Sequence, residues 1–410
     1  MTKYVAVGGV CGLAWAAALR GWMVQLAGAQ STFSWLTFLL VLMPGVAVGM
    51  LLGWAAYLRV HGLPPPRRLI FAPVLFAAAL LDPVIFIGLI REGTGGGALM
   101  VIATALAGGF VLSRKGFSVA RAACALVALL GLLMLTGIGS MAAPVSSPRG
   151  AWVSLFGLSL ILVLCLASAL PYRSSARVPL PLVGGLCGLA WACALRSFMT
   201  QVAGPESAVH WVNTFGFILL PGLLAGALLG WGTRSGRRWT ALSPLLFAAV
   251  LLSDPLDIGS LLDDGVGGGA IGVPVIGILG GYAVAGRGPV VKRAVAGLIF
   301  VAGLVVWALT ATAVGGPGFA LTTPHGLWAS LLYGTLLITL ALAVSMPLRA
   351  IARPGATGPV APQNSHEAYS GLRSFMSSKS STIRSMYQLF AIWHIRVPAI
   401  TATRSRRTSP

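Results

Sequence analysis

Gly12-Leu-Ala-Trp-Ala-Ala-Ala-Leu-Arg20 recurs later in the chain as Gly188-Leu-Ala-Trp-Ala-Cys-Ala-Leu-Arg196. The correspondence continues beyond this stretch: Met43-Pro-Gly45 matches Leu220-Pro-Gly222, and Gly53-Trp54 matches Gly230-Trp231. Further on, Gly95-Gly-Gly-Ala98 matches Gly267-Gly-Gly-Ala270. The pattern predicts two halves that share one fold, each with an arginine inside a long apolar run.

Composition indicates a membrane protein. Of the 410 residues, 57% are hydrophobic and 9% charged, and the mean hydropathy is +0.89. Ordinary soluble domains carry about a quarter charged residues. Apolar runs of about 20 residues favour membrane-spanning helices, since barrel strands are shorter and alternate in polarity. The five cysteines all lie in such runs and are interpreted as reduced packing residues.

The apolar runs predict an all-α integral membrane protein with twelve transmembrane helices. The six expected in the first half cover about 4–28, 33–58, 69–90, 96–113, 119–141 and 151–170, and the six in the second about 180–204, 209–231, 240–262, 268–286, 294–314 and 327–347. An even number of spans in each half makes the two parallel repeats, related by an axis along the membrane normal. The predicted domains are residues 1–173, residues 174–350 and a mostly disordered basic tail, 351–410.

The distribution of basic residues predicts the orientation. Cytoplasmic loops of membrane proteins are enriched in lysine and arginine. The even-numbered connections hold nearly all of the loop arginines and lysines, whereas the odd-numbered ones hold only Arg91 and Arg149. We therefore expect a multi-pass protein of the inner or plasma membrane with both termini in the cytoplasm. The net charge of +20 follows mostly from this anchoring and from the tail, so no nucleic-acid partner is expected.

Charged residues inside the predicted spans are the candidate site. Arg20 and Asp82 lie at similar depth, as do Arg196 and Asp254, and each costs about 2.5 to 3.5 kcal/mol at a helix centre. We expect two ion pairs, Arg20 with Asp82 and Arg196 with Asp254. They either face a central cavity that binds a charged solute or relays protons, or simply lock spans together, or the arginines extend to the headgroups. Near the arginines, Gln25 and Gln201 would add polar lining.

Proline and glycine residues mark the second span of each half. The candidate hinge or packing residues are Pro44, Gly45, Gly49 and Gly53, with Pro221, Gly222, Gly226 and Gly230. Glycines four residues apart allow another helix to approach closely, and proline kinks a helix. Helix packing is the favoured interpretation, and a hinge is the alternative.

No sequence motif identifies a substrate, a metal site or a cofactor. Two similar halves around a midline site favour a secondary carrier of a small solute or ion, driven by an ion gradient. A non-catalytic membrane scaffold or assembly protein is the alternative, with the lipid bilayer as its certain partner. A membrane enzyme acting on lipid carriers is disfavoured, because only eight carboxylates are present and they lack metal-ligand grouping.

Overall fold

A computed structural model describes residues 1–28, 31–92, 96–113, 118–172, 178–204, 207–252 and 266–350. These residues form helices and connections, with no strand among them. The tail from residue 351 onward, for which disorder was predicted, lies outside the described residues.

Eleven α-helices are described, and two of them continue a π-helix. Their bounds are α1 Thr2–Ala27, α2 Met43–Val60 after a π-helix Phe38–Leu42, α3 Pro83–Glu92, α4 Gly96–Ser113, α5 Val119–Ala142, α6 Pro148–Ser168, α7 Leu180–Val202, α8 Leu220–Ser235 after a π-helix Trp211–Leu219, α9 Val266–Ala285, α10 Val290–Gly315 and α11 Pro324–Arg349. Within the described part of the chain, nine helical stretches are long and apolar enough to cross a membrane. The protein is therefore a multi-pass membrane protein.

The third expected span of each half differs from the prediction of a regular helix. In its place the first half has a 3-10 helix, Arg67–Leu81, followed by the short α3, and the second half has a 3-10 helix, Arg238–Leu252. Each is 15 residues long, whereas 3-10 runs rarely exceed four residues. Pro73 and Pro244 lie inside them and each removes one α-helical hydrogen bond. At about 2.0 Å per residue each covers roughly 30 Å, the thickness of the hydrocarbon core.

The π-helices lie where the two sequence copies differ in length by one residue. Trp211 precedes Pro221 by one residue more than Trp35 precedes Pro44. The second π-helix is accordingly longer, nine residues against five. A π-turn accommodates an inserted residue without breaking the helix. The proline stands at the first turn of the α-helix that follows, where its missing N–H is tolerated.

Glycine pairs bring α1 against α2 and α7 against α8. A Cβ atom on Gly49 would run into the backbone carbonyl of Gly8, and one on Gly226 would run into that of Gly184. The other glycines of the repeated pattern, Gly45, Gly53, Gly222 and Gly230, are equally closed in by the facing helix. The glycines thus serve close backbone packing.

The centre of the molecule is made by α1, α6, α7 and α11, which share one buried core. Tryptophans join these helices through hydrogen bonds to backbone carbonyls. Trp15 Nε1 donates to the carbonyl oxygen of Leu160, and Trp191 Nε1 donates to that of Leu336, with the same separation of 145 residues. In contrast, only 11% of the apolar stretch of α10 and 22% of that of α5 are buried, so these two helices lie at the periphery.

Candidate functional site

A polar cavity lies at the end of the bundle where α1 and α7 end and α6 and α11 begin, which we call the end face. The opposite end, where α1 begins, is the start face. The cavity has a volume of about 890 Å³. The residues that line it are Val24, Gln25, Gly28, Ser31, Thr32, Phe33, Arg149, Trp152, Thr200, Gln201, Gly204, Ser207, Ala208, Val209, Gly318, Thr323, Pro324 and His325. We call this space the end-face cavity.

Corresponding positions of the two sequence copies line the end-face cavity. Gln25 faces the cavity from the end of α1 and Gln201 from the end of α7. Ser31 and Ser207 line it from the loops that follow these helices. The cavity is therefore a shared product of both halves. Gln25 also links them directly, since its Nε2 donates to Thr200 Oγ1 at 2.8 Å.

Arg20 is buried behind the wall of the cavity, with 7% of its surface exposed. Its guanidinium donates from Nη1 to Ser31 Oγ at 3.1 Å and from Nη2 to the carbonyl oxygen of Thr32 at 2.7 Å. The guanidinium carbon lies 4.1 Å from the centre of the Phe33 ring, a cation–π contact. The arginine thus binds the loop after its own helix.

Arg196 repeats this arrangement and is 5% exposed. It donates from Nη1 to Ser207 Oγ at 2.9 Å and from Nη2 to the carbonyl oxygen of Ala208 at 2.7 Å. The aromatic partner differs, because Arg196 lies 5.7 Å from the centre of the Trp152 ring. The residue separations from arginine to serine and to carbonyl are identical in the two copies.

For Arg20, these contacts replace the ion pair expected from the sequence. The hydrogen bonds of Arg20 go to Ser31 and Thr32, so the structure does not bring its guanidinium to Asp82, which caps the first 3-10 helix. The physical reason is that a backbone carbonyl and a serine hydroxyl supply acceptors next to the helix end, without the cost of burying a second charge. Asp254 lies outside the described residues, so the second expected pair stays a prediction.

A layer of buried aromatic side chains lies beneath the end-face cavity. It consists of Trp22 on α1, Phe156 on α6, Phe198 on α7 and Trp328 on α11, which we call the aromatic layer. Trp22 Nε1 donates to the carbonyl oxygen of Val153, and Trp328 Nε1 donates to that of Ala17 at 3.1 Å. The second bond crosses between the halves. Hydrogen bonds thus hold the two tryptophans of the layer in place between the helices.

A second cavity lies on the other side of the aromatic layer, toward the start face. It has a volume of about 240 Å³ and is lined almost wholly by apolar side chains of α1, α6, α7, α8 and α11. Cys11 and Cys187 face it from corresponding positions, and Gly222, Gly226 and Gly230 form part of its wall. We call this space the apolar cavity.

A repeated spacing in the sequence corresponds to the arginine–loop contacts. In both copies a serine follows the arginine by 11 residues, at Ser31 and at Ser207. Sequence analysis also did not find Arg149 and His325, which stand at the starts of α6 and α11 and line the same cavity. Among the described residues no cluster of three histidine, cysteine or acidic side chains is placed to hold a metal ion.

Comparisons give this site no precedent. No protein-family model matches the chain, no curated protein is significantly similar to it, and no solved structure matches it. The function therefore has to be argued from the geometry.

Proposed function

We propose that this protein is a secondary carrier with its substrate site between two six-span halves, residues 1–173 and 174–350. The observation that carries the proposal is the end-face cavity, to which both halves contribute the same positions. Carriers built from parallel repeats bind their substrate at the interface of the repeats. The aromatic layer would close the substrate site on its inner side. The apolar cavity beneath that layer would continue the path of the substrate across the membrane.

The proposed twelve spans are the nine long apolar helices, the shorter apolar helix 269–285 and the two 3-10 helices. The 3-10 helices are long enough for this role because they rise faster per residue than α-helices. The repeated tryptophan and arginine hydrogen bonds support the proposal that the halves are parallel copies.

We further propose that the start face is cytoplasmic and that the protein resides in the inner or plasma membrane. Basic residues follow α2 and α8 and begin the 3-10 helices and α10, all at this face, which suits the positive-inside rule. Both termini would then lie in the cytoplasm. The carrier would take a small solute or ion, with no nucleic-acid partner and no catalytic step.

Accessibility of single cysteines tests the carrier. In a variant without native cysteines, Gln201→Cys reports on the end-face cavity and Ala14→Cys on the apolar cavity. Leu130→Cys on α5, where Leu130 is 51% exposed on the periphery, is the lipid-facing control. A membrane-impermeant charged thiol reagent should label Gln201→Cys from one side and Ala14→Cys from the other. An ion gradient should shift the two rates in opposite directions while Leu130→Cys stays unreactive.

A scaffold is the alternative, and one observation favours it: the tight glycine contacts and tryptophan bonds would equally hold a static bundle. A scaffold predicts that labelling of Gln201→Cys and Ala14→Cys is the same with and without every gradient applied. That result would overturn the carrier.

A further inference from the structure

The described wall of the end-face cavity is positively charged. Arg149 lines it directly, and Arg20 and Arg196 lie one side chain behind it, bound to loops that form its wall. Of the eight acidic residues of the chain, Asp82 is the one whose side chain the structure describes, and it does not line the cavity. Among the described residues, the hydrogen-bond acceptors of each buried arginine are a serine hydroxyl and a backbone carbonyl, which are neutral groups and do not compensate its charge.

Helix dipoles do not alter this balance. Of the helices that line the cavity, α6 and α11 begin at the end face, and α1 and α7 end there. The positive ends of the first pair and the negative ends of the second offset each other. The charged side chains among the described residues therefore set the sign of the described wall.

Two buried ring nitrogens beside the cavity have no hydrogen-bond partner. These are Nε1 of Trp152, a fully buried residue, and Nε2 of His325. Trp328 occupies the position that corresponds to Trp152, and its Nε1 is satisfied by Ala17. An indole N–H can only donate, so the group that would satisfy Trp152 must carry an acceptor. Leaving such a donor buried and unpaired costs about 1 to 3 kcal/mol.

The apolar cavity places a second requirement on the substrate. Apart from Cys11, Cys187, Thr233, Thr339 and Met346, its side chains are hydrocarbon or aromatic, and a hydrated inorganic ion would lose its water there without replacement. Its volume of about 240 Å³ exceeds the roughly 150 Å³ of an engineered cavity that takes up benzene. An apolar group about the size of benzene therefore fits the apolar cavity.

We propose that the substrate is a small amphipathic organic anion, a carboxylate on an apolar body. Its oxygens occupy the end-face cavity beside Arg149, Trp152 and His325, and its apolar body suits the path through the apolar cavity. This inference rests on the proposed carrier function and names the substrate class of the same site.

Calorimetry on the full-length protein in nanodiscs of zwitterionic lipid tests the substrate class. Benzoate is the probe, benzamide is its neutral counterpart, and inorganic phosphate is an oxyanion without an apolar body. We expect benzoate to bind at least tenfold more tightly than either. Equal binding of benzamide would overturn the requirement for charge, and equal binding of phosphate would overturn the requirement for an apolar body.

Variants locate the site. Arg149→Gln should weaken benzoate binding about tenfold, whereas Arg91→Gln, an arginine that does not line the cavity, should leave it unchanged. Trp152→Phe, which keeps a six-membered aromatic ring and removes the unpaired donor, should weaken binding about fivefold and lower Tm less than Trp328→Phe does. Equal effects of the two arginine variants, or unchanged affinity in Trp152→Phe, would overturn the proposed site.

A lipid headgroup offers the same oxyanion chemistry, so the measurement is repeated with phosphatidylglycerol in the nanodisc. Undiminished benzoate binding supports a soluble anion, whereas its loss would assign the site to lipid and overturn the proposal. A result that rejects the proposed substrate class can be distinguished from one that rejects the proposed carrier function. Gradient-dependent labelling without benzoate binding rejects the substrate class alone, and benzoate binding without gradient-dependent labelling rejects the carrier alone.

Discussion

The two buried arginines account for how this bundle accommodates charge away from water. Each guanidinium uses its fork to bind one serine hydroxyl and the next backbone carbonyl, and Arg20 also stacks on Phe33. A planar group with several fixed donors suits this task, because one side chain satisfies two acceptors and covers an aromatic face. The result is a loop fixed to the end of its helix, and that loop is the wall of the end-face cavity.

Replacing Arg20 by lysine keeps the charge and removes the fork. We expect Arg20→Lys to destabilise the protein by about 1 to 3 kcal/mol, because an ammonium group replaces the planar stack on Phe33 and loses one of two charged hydrogen bonds. Thermal unfolding in detergent measures the change. A double-mutant cycle with Ser31→Ala should show less than additive loss, since both changes break the same bond. Full additivity would contradict the Arg20–Ser31 contact.

Trp328 and Trp152 stand at corresponding positions but differ in their hydrogen bonds. Trp328→Phe breaks the bond to Ala17 and should cost about 1 kcal/mol of stability, whereas Trp152→Phe breaks none. Both changes remove similar volume from a fully buried site, so Trp152→Phe is the matched control. A fall in Tm that is equal for the two variants would show that volume, not the bond, is responsible.

At the scale of elements, the sequence predicts the close helix contacts at glycines but not the 3-10 helices. Glycine spacing on the second span of each half predicts close helix contact because glycine has no Cβ, and Gly8 and Gly49 meet in that way. The 3-10 helices could not be predicted, because hydropathy reports an apolar run and not its rise per residue. The partners of Arg20 could not be predicted for a related reason. Its position in the helix gives its depth in the membrane, but not the side of the helix from which its side chain projects.

Gly49 tests the packing of α1 on α2. A methyl group there would meet the Gly8 carbonyl, which is backbone and cannot move aside, so Gly49→Ala should destabilise the protein by about 1 to 3 kcal/mol. Gly137 on the peripheral α5 has no atom within 4 Å of an added Cβ, so Gly137→Ala is the control and should leave Tm unchanged or slightly raised. Thermal unfolding of both variants decides. Equal loss in both would mean that the contact with Gly8 does not limit the approach of the helices.

At the scale of the whole molecule, the two cavities lie along the same four central helices, with the aromatic layer between them. On α1 the apolar cavity is lined as far as Ala18 and the end-face cavity begins at Val24, while Trp22 lies between. On α7 the corresponding limits are Ala194 and Thr200, with Phe198 between. The division falls at the same level in both halves, which is what a carrier that closes one side at a time requires.

Cys11 and Cys187 provide a native reporter of movement between the halves, because they line the apolar cavity from α1 and α7. With the other three cysteines replaced and a protease site in the 173–177 linker, a short bismaleimide should join the halves, so that cleavage leaves one band on a denaturing gel. Cys187→Ser should give two bands. If the start side must open and close, the cross-link should also abolish the gradient-dependent labelling of Gln201→Cys, because the halves can no longer separate there. Labelling that still responds to the gradient after complete cross-linking would mean that α1 and α7 do not move apart, and would contradict alternating access between these halves.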